Sequence, residues 1–117
     1  MALTVYGIQT CEKVRKARRW LDANGHPHDF VDFRQSPPSE AKVAQWIARL
    51  GSRPLRNSSG SSYRALGPER DAWTDSEWTS AFAADPMLIK RPIVERDGVP
   101  VQVGFDENVG FALLRAS

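Results

Sequence analysis

The chain has 117 residues, which suits one domain and is too few for two. Hydrophobic residues make up 41% and charged residues 26%, an ordinary soluble composition, and a net charge of +2 is too small by itself to imply nucleic-acid binding. The single cysteine excludes an internal disulfide and fits a reducing cytosol better than a secreted, bridge-stapled scaffold.

No stretch approaches the roughly 20 apolar residues that cross a bilayer, and the N-terminus lacks the pattern of a signal peptide. In chain order, Leu3, Val5 and Gly7 alternate with Thr4, Tyr6 and Ile8, which predicts a strand. Gln9-Thr10-Cys11 breaks it. A helix is predicted from about Glu12 to Ala23, with Val14, Ala17 and Leu21 on one face and Gly25 as its stop. Phe30, Val31 and Phe33 predict a second strand, making a β-α-β unit with parallel strands. Ser39 is the expected N-cap of a helix reaching Leu50, with Val43, Trp46, Ile47 and Leu50 as its buried stripe and Gly51 as its end.

The polar stretch from Arg53 to Ser62 is too short to act as a linker between domains, and a loop of that length in so small a chain is often functional. Tyr63 to Leu66 can start a short helix. Thr74-Asp75-Ser76-Glu77 is a capping box that opens a helix carrying Trp78, Ala81 and Phe82, ended by Asp85-Pro86. Ile93-Val94-Glu95 should pair with Val101-Gln102-Val103 through Asp97-Gly98, a hairpin turn signal, although the spacing allows a longer loop. A closing helix is predicted from about Glu107, where Phe105, Val109 and Leu113 repeat every four residues. The order is therefore β-α-β, helices, β-β-α.

Cys11 follows a strand and precedes a helix. Helix N-terminal N–H groups lack internal partners, and the dipole places partial positive charge there, so such a position favours the nucleophilic thiolate. Lys13, Arg15 and Lys16 add positive charge within one turn. The competing reading is a small buried hydrophobe. Of the basic run Lys13, Arg15, Lys16, Arg18 and Arg19, the last four spread over the face opposite Val14, Ala17 and Leu21, as a solvated helix face does, with anion attraction toward Cys11 as a by-product. His26 and His28 read as surface histidines, too few for a metal site, and no metal is expected. The four tryptophans read as core and groove filling, and no phosphate-binding or serine-hydrolase motif is present.

Tyr6-Gly7-Ile8-Gln9-Thr10-Cys11, Lys16-Ala17-Arg18-Arg19-Trp20-Leu21, the loop from Leu55 to Leu66 and Ile89-Lys90-Arg91-Pro92-Ile93 together resemble the arsenate-reductase-like (ArsC/Spx) family, most closely its YffB-type branch. The resemblance spans essentially the whole chain. It implies an α/β, thioredoxin-like fold: a four-stranded mixed sheet with a helical segment, at about 37–86, inserted between β-α-β and β-β-α halves of a single domain covering 1–117. It further implies that Cys11 is the nucleophile, that Arg91 binds an anionic substrate or stabilises the thiolate, and that Pro92 is the family's proline facing the cysteine, typically cis. Arg15 joins Arg91 as a candidate anion-binding residue. Asn57 stands where the arsenate reductases place a second arginine, with Arg56 one residue earlier; the third falls near Gly104. Asparagine cannot replace forked, charge-assisted contacts, so these departures argue against arsenate reduction. Val14 occupies the second cysteine position of the Spx redox pair.

The resulting expectation is a cytoplasmic, monomeric thiol oxidoreductase with no tightly bound cofactor. With no resolving cysteine in the chain, another thiol must clear Cys11, namely glutathione or a glutaredoxin-type donor. Neither nucleic acid nor membrane is an expected partner. The alternatives are an Spx-like regulator that binds RNA polymerase and a true arsenate reductase.

Overall fold

A computed structural model describes residues 2–111 and divides the chain into two compact units, one built from the residues up to 35 and from 91 onward, the other from 36–90. The first unit begins with β1 (Leu3–Gly7), in which Leu3, Val5 and Gly7 are buried and Thr4 and Tyr6 are not. Helix α1 (Glu12–Ala23) follows and buries Val14, Ala17 and Leu21, the stripe that its periodicity predicts. Strand β2 (His28–Asp32) pairs parallel to β1, with Val5 opposite Phe30. It starts two residues before the predicted Phe30 and stops one short of Phe33, whose N–H instead donates to the Gly7 carbonyl at 2.8 Å.

Strands β3 (Ile93–Arg96) and β4 (Val99–Val103) complete a four-stranded mixed sheet in the order β2-β1-β3-β4. Asp97 and Gly98, at φ 53° and 80°, form a two-residue turn, the tighter of the connections that the spacing allows. Ile93 faces Val103 and Val94 faces Gln102, as predicted, but Glu95 faces Pro100 instead of Val101. The extra residue is a bulge, placed next to a proline that has no N–H to give the ladder. Leu3, Val5, Ala17, Leu21, Val94, Phe105 and Phe111 make this unit's core, and burying each large side chain contributes about 1.5–3 kcal/mol.

The predicted closing helix is corrected where the structure describes it. Glu107 to Val109 is a turn: the Asp106 carbonyl accepts the Val109 and Gly110 N–H groups, and its side chain accepts the Asn108 N–H. Gly110 sits at φ 68°, with the Trp20 ring where a Cβ would be, so the chain cannot run on helically through it. Val109 is exposed, while Phe105 and Phe111 are buried. Leu113 lies outside the described residues.

The second unit carries α2 (Glu40–Leu50), the short α3 (Ser61–Arg64) and α4 (Asp75–Ala84), with 3-10 turns at Pro68–Ala72 and Pro86–Leu88. Ser39 caps α2 by accepting the Lys42 N–H at 3.1 Å, and Thr74 and Glu77 form both halves of the capping box on α4. Helix α3 starts two residues earlier than predicted, behind Gly60. Trp46 and Trp78 are fully buried with Val43, Leu55, Phe82, Leu88 and Ile89. Among the described residues no helix is long and apolar enough to cross a membrane.

Candidate functional site

Cys11 is the N-cap residue of α1, half-buried and free, and its side chain takes no capping hydrogen bond. Its N–H donates to the Ile8 carbonyl and its carbonyl accepts the Arg15 N–H, both at 3.0 Å. An N-cap is usually a serine, threonine, aspartate or asparagine whose oxygen accepts an unpaired amide of the first turn. Here a thiol stands in that place.

The loop that delivers Cys11 is held through Gln9. The Gln9 N–H donates to Asp32 Oδ2 at 2.9 Å, and the Gln9 carbonyl accepts from Arg15 Nε at 3.2 Å. Asp32 also accepts the Arg34 N–H through Oδ1 at 2.7 Å. These contacts, the Gln9 amide above all, keep the Asp32 carboxyl below the usual carboxylate range. Arg15 therefore serves the loop as well as offering charge, and its Nη1 lies 3.8 Å from Glu12 Oε2. Sequence reasoning misses Asp32, because a lone aspartate at a strand end carries no local signal for a partner 23 residues away.

Arg91-Pro92 is a cis peptide bond, as the resemblance implies. Pro92 is buried, Arg91 is half-buried, and the Gly104 N–H donates to the Pro92 carbonyl at 2.7 Å. Because Ile93 pairs with Tyr6, the register brings Pro92 to the end of the sheet from which β1 leads to Cys11. On the same sheet the Tyr6 hydroxyl donates to Glu95 Oε1 at 2.9 Å. Burial first, and then this carboxylate, raise the tyrosine pKa far above its ordinary value.

Asn57 belongs to the other unit. Its N–H donates to the Leu88 carbonyl at 2.9 Å and its side-chain amide to the Met87 carbonyl at 3.3 Å. With an Arg56–Ile89 bridge and the Lys90 N–H on the Leu55 carbonyl, it ties residues 55–57 to 87–90. Arg56 lies 4.3 Å over the Trp78 ring and donates to Ser52 Oγ at 2.9 Å.

His28 is not the surface histidine that its polar neighbours suggest. Its side chain is 3% exposed, accepts from Arg18 Nε at 3.3 Å and meets the His26 carbonyl at 3.2 Å. Among the described residues no three acidic, histidine or cysteine side chains gather as a metal site.

The protein YusI of Bacillus subtilis (strain 168) is 35% identical over 112 residues, 92% of this chain and 94% of its own. The solved structure of the YFFB protein superposes with a TM-score of 0.81 at 30% identity, covering 92% of this chain and 94% of the other. That of a possible arsenate reductase from Streptococcus mutans UA159 gives 0.80 at 34% identity, over 88% and 90%. More distant are an arsenate reductase of Rhizobium meliloti, 28% identical over 80% of this chain and 69% of that protein, and the global transcriptional regulator Spx of Streptococcus mutans, 24% identical over 91% and 78%. The fold is thioredoxin-like, as its neighbours are. The ArsC family model matches residues 6–110, from the strand before Cys11 to the turn after β4, and the chain belongs to the ArsC family.

Proposed function

We propose that this protein is a thiol oxidoreductase in which Cys11 is the nucleophile and an external thiol, of which glutathione is the prime example, is the reductant. The observation that carries the reading is Cys11 as the uncommitted N-cap of α1. The first amides of a helix have no partner within it, and its dipole favours negative charge at that end, where an anionic sulfur nucleophile is best placed. The Cys11 thiolate attacks one sulfur of a disulfide R–S–S–R. A Cys11–S–S–R bond forms, the R–S–S–R bond breaks, and the leaving thiolate takes up a proton. A second thiol then attacks the mixed disulfide, restoring Cys11 and carrying away the oxidised pair.

Two observations weigh against the alternatives. Val14, at the second cysteine position of the Spx pair, is 1% exposed, so an internal switch has no partner there. Of the three arginines of the arsenate reductases, Arg91 matches one, the second falls at Asn57, whose side chain braces Met87, and the third falls near Gly104. The test is steady-state reduction of a neutral disulfide by reduced glutathione, comparing the protein with its Cys11→Ser variant. Turnover that vanishes in the variant supports the reading. Turnover indistinguishable from the uncatalysed rate rejects it and favours the regulator.

A further inference from the structure

Along α1, Gln9, Val14, Arg15, Arg18, Arg19 and Asp22 line an open groove of about 320 Å³. It begins two residues before Cys11 and runs beside the helix. One wall is fixed: the Arg18 guanidinium lies 4.4 Å over the Phe30 ring while its Nε donates to the buried His28. The other two arginines share one carboxylate. Glu12 Oε2 lies 3.8 Å from Arg15 Nη1, and Glu12 Oε1 accepts from Arg19 Nη2 at 3.2 Å. Helical side chains lean toward the N-terminus, so both guanidiniums fall back toward Cys11, and their meeting at Glu12 shows where they converge. All three side chains are more than half exposed, at 53%, 61% and 64%, so water competes for the contacts and an incoming anion can displace them.

We propose that this groove is the subsite for a carboxylate of the small disulfide or thiol that exchanges with Cys11, and that Glu12 is its built-in competitor. The proposal rests on the reading of Cys11 as the nucleophile. Arg19 lies eight residues along the helix from Cys11, about 12 Å, within reach of the far end of a short carboxylate-bearing disulfide. Glu12 holds Arg15 and Arg19 in the convergent geometry when no ligand is bound. By occupying the same cations, it tempers the preference for anionic substrates and sets how strongly charge selects among them.

The test uses three disulfides of similar size, 3,3′-dithiodipropionate (anionic), bis(2-hydroxyethyl) disulfide (neutral) and cystamine (cationic). Rates of Cys11 adduct formation are followed by intact mass at about 0.02 M and about 0.5 M salt. The ratio of anionic to neutral rate is the readout. It should be about tenfold at low salt and fall toward one at high salt. Arg19→Gln should lower it about threefold or more, and Glu12→Gln should raise it by a similar factor. Lys16→Gln removes the same charge nearer to Cys11, from a side chain paired with Glu107 at 3.4 Å outside the groove. A diffuse field predicts that Lys16→Gln has the larger effect; the groove predicts that Arg19→Gln does. A ratio unmoved by Arg19→Gln and Glu12→Gln, or moved more by Lys16→Gln, overturns the proposal and leaves the Cys11 reading standing. Absence of an adduct with all three disulfides overturns both.

Discussion

The Asp32 carboxylate accepts the Gln9 N–H at 2.9 Å, and so fastens the end of β2 to the loop that delivers Cys11. With Arg15 on the carbonyl of the same residue, Gln9 is held from both sides. A nucleophile whose approach must be aligned gains from such a clamp.

Asp32→Asn should therefore act on both stability and reactivity. The folded protein holds the Asp32 carboxyl below its ordinary range, chiefly through the Gln9 amide, so its contribution is complete above the unfolded value of about 3.9 and is lost as pH falls through the lowered one. Because Asp32 is half-buried and within reach of water, the loss at neutral pH should be about 1 kcal/mol in urea denaturation. The gap between protein and variant should close in strong acid. Cys11 adduct formation should slow by about threefold. Equal stability curves across pH would show that Asp32 does not hold the loop.

Tyr6 should remain protonated well above the pH at which an ordinary tyrosine ionises, because burial and the Glu95 carboxylate both oppose the phenolate. The stabilisation from this raised pKa is complete below the unfolded value of about 10 and is lost as pH rises through the folded one. Tyr6→Phe removes a donor from the buried Glu95 carboxylate and should cost about 1–3 kcal/mol. Tyrosinate absorbance against pH checks the first point, and urea denaturation the second. A Tyr6 that ionises at the ordinary value would contradict both.

Arsenate should be a poor substrate. Arg56 is stacked on Trp78 and bonded to Ser52, and Asn57 is bonded to Met87. Each missing charge-assisted contact is worth about 1.5–3 kcal/mol, so two losses remove about two or more decades of efficiency. Assayed side by side with glutathione, the Rhizobium meliloti arsenate reductase should be faster by at least that margin. Asn57→Arg should cost about 1 kcal/mol of stability with the loss of the Met87 contact. Equal rates for the two natural proteins would show that this chain recognises arsenate without those arginines.

What is legible in the sequence is local chemistry. Ser39 and Gly51 bound α2, Thr74 and Glu77 open α4, and Asp97-Gly98 turns the hairpin, because each signal lies within a few residues of what it determines. The N-cap position of Cys11 is legible for the same reason. Partners distant in sequence are not. Asp32 finds Gln9, Tyr6 finds Glu95, and His28 is covered by Arg18 only once β2 lies beside β1 and α1. The four-residue repeat of Phe105 and Val109 suggests a helix, but Gly110 turns the chain and exposes Val109. Glu12, an ordinary first-turn acid by its position, is read differently once Arg15 and Arg19 are seen to meet on it.

A thiol oxidoreductase of this kind requires that Cys11 exchange with a disulfide. Intact mass after incubation with oxidised glutathione should show one glutathione added per chain, absent in Cys11→Ser and removed by excess reduced thiol. An unmodified chain under conditions in which a free thiol of a model peptide reacts would mean that Cys11 is a packing residue, and would contradict the proposed function.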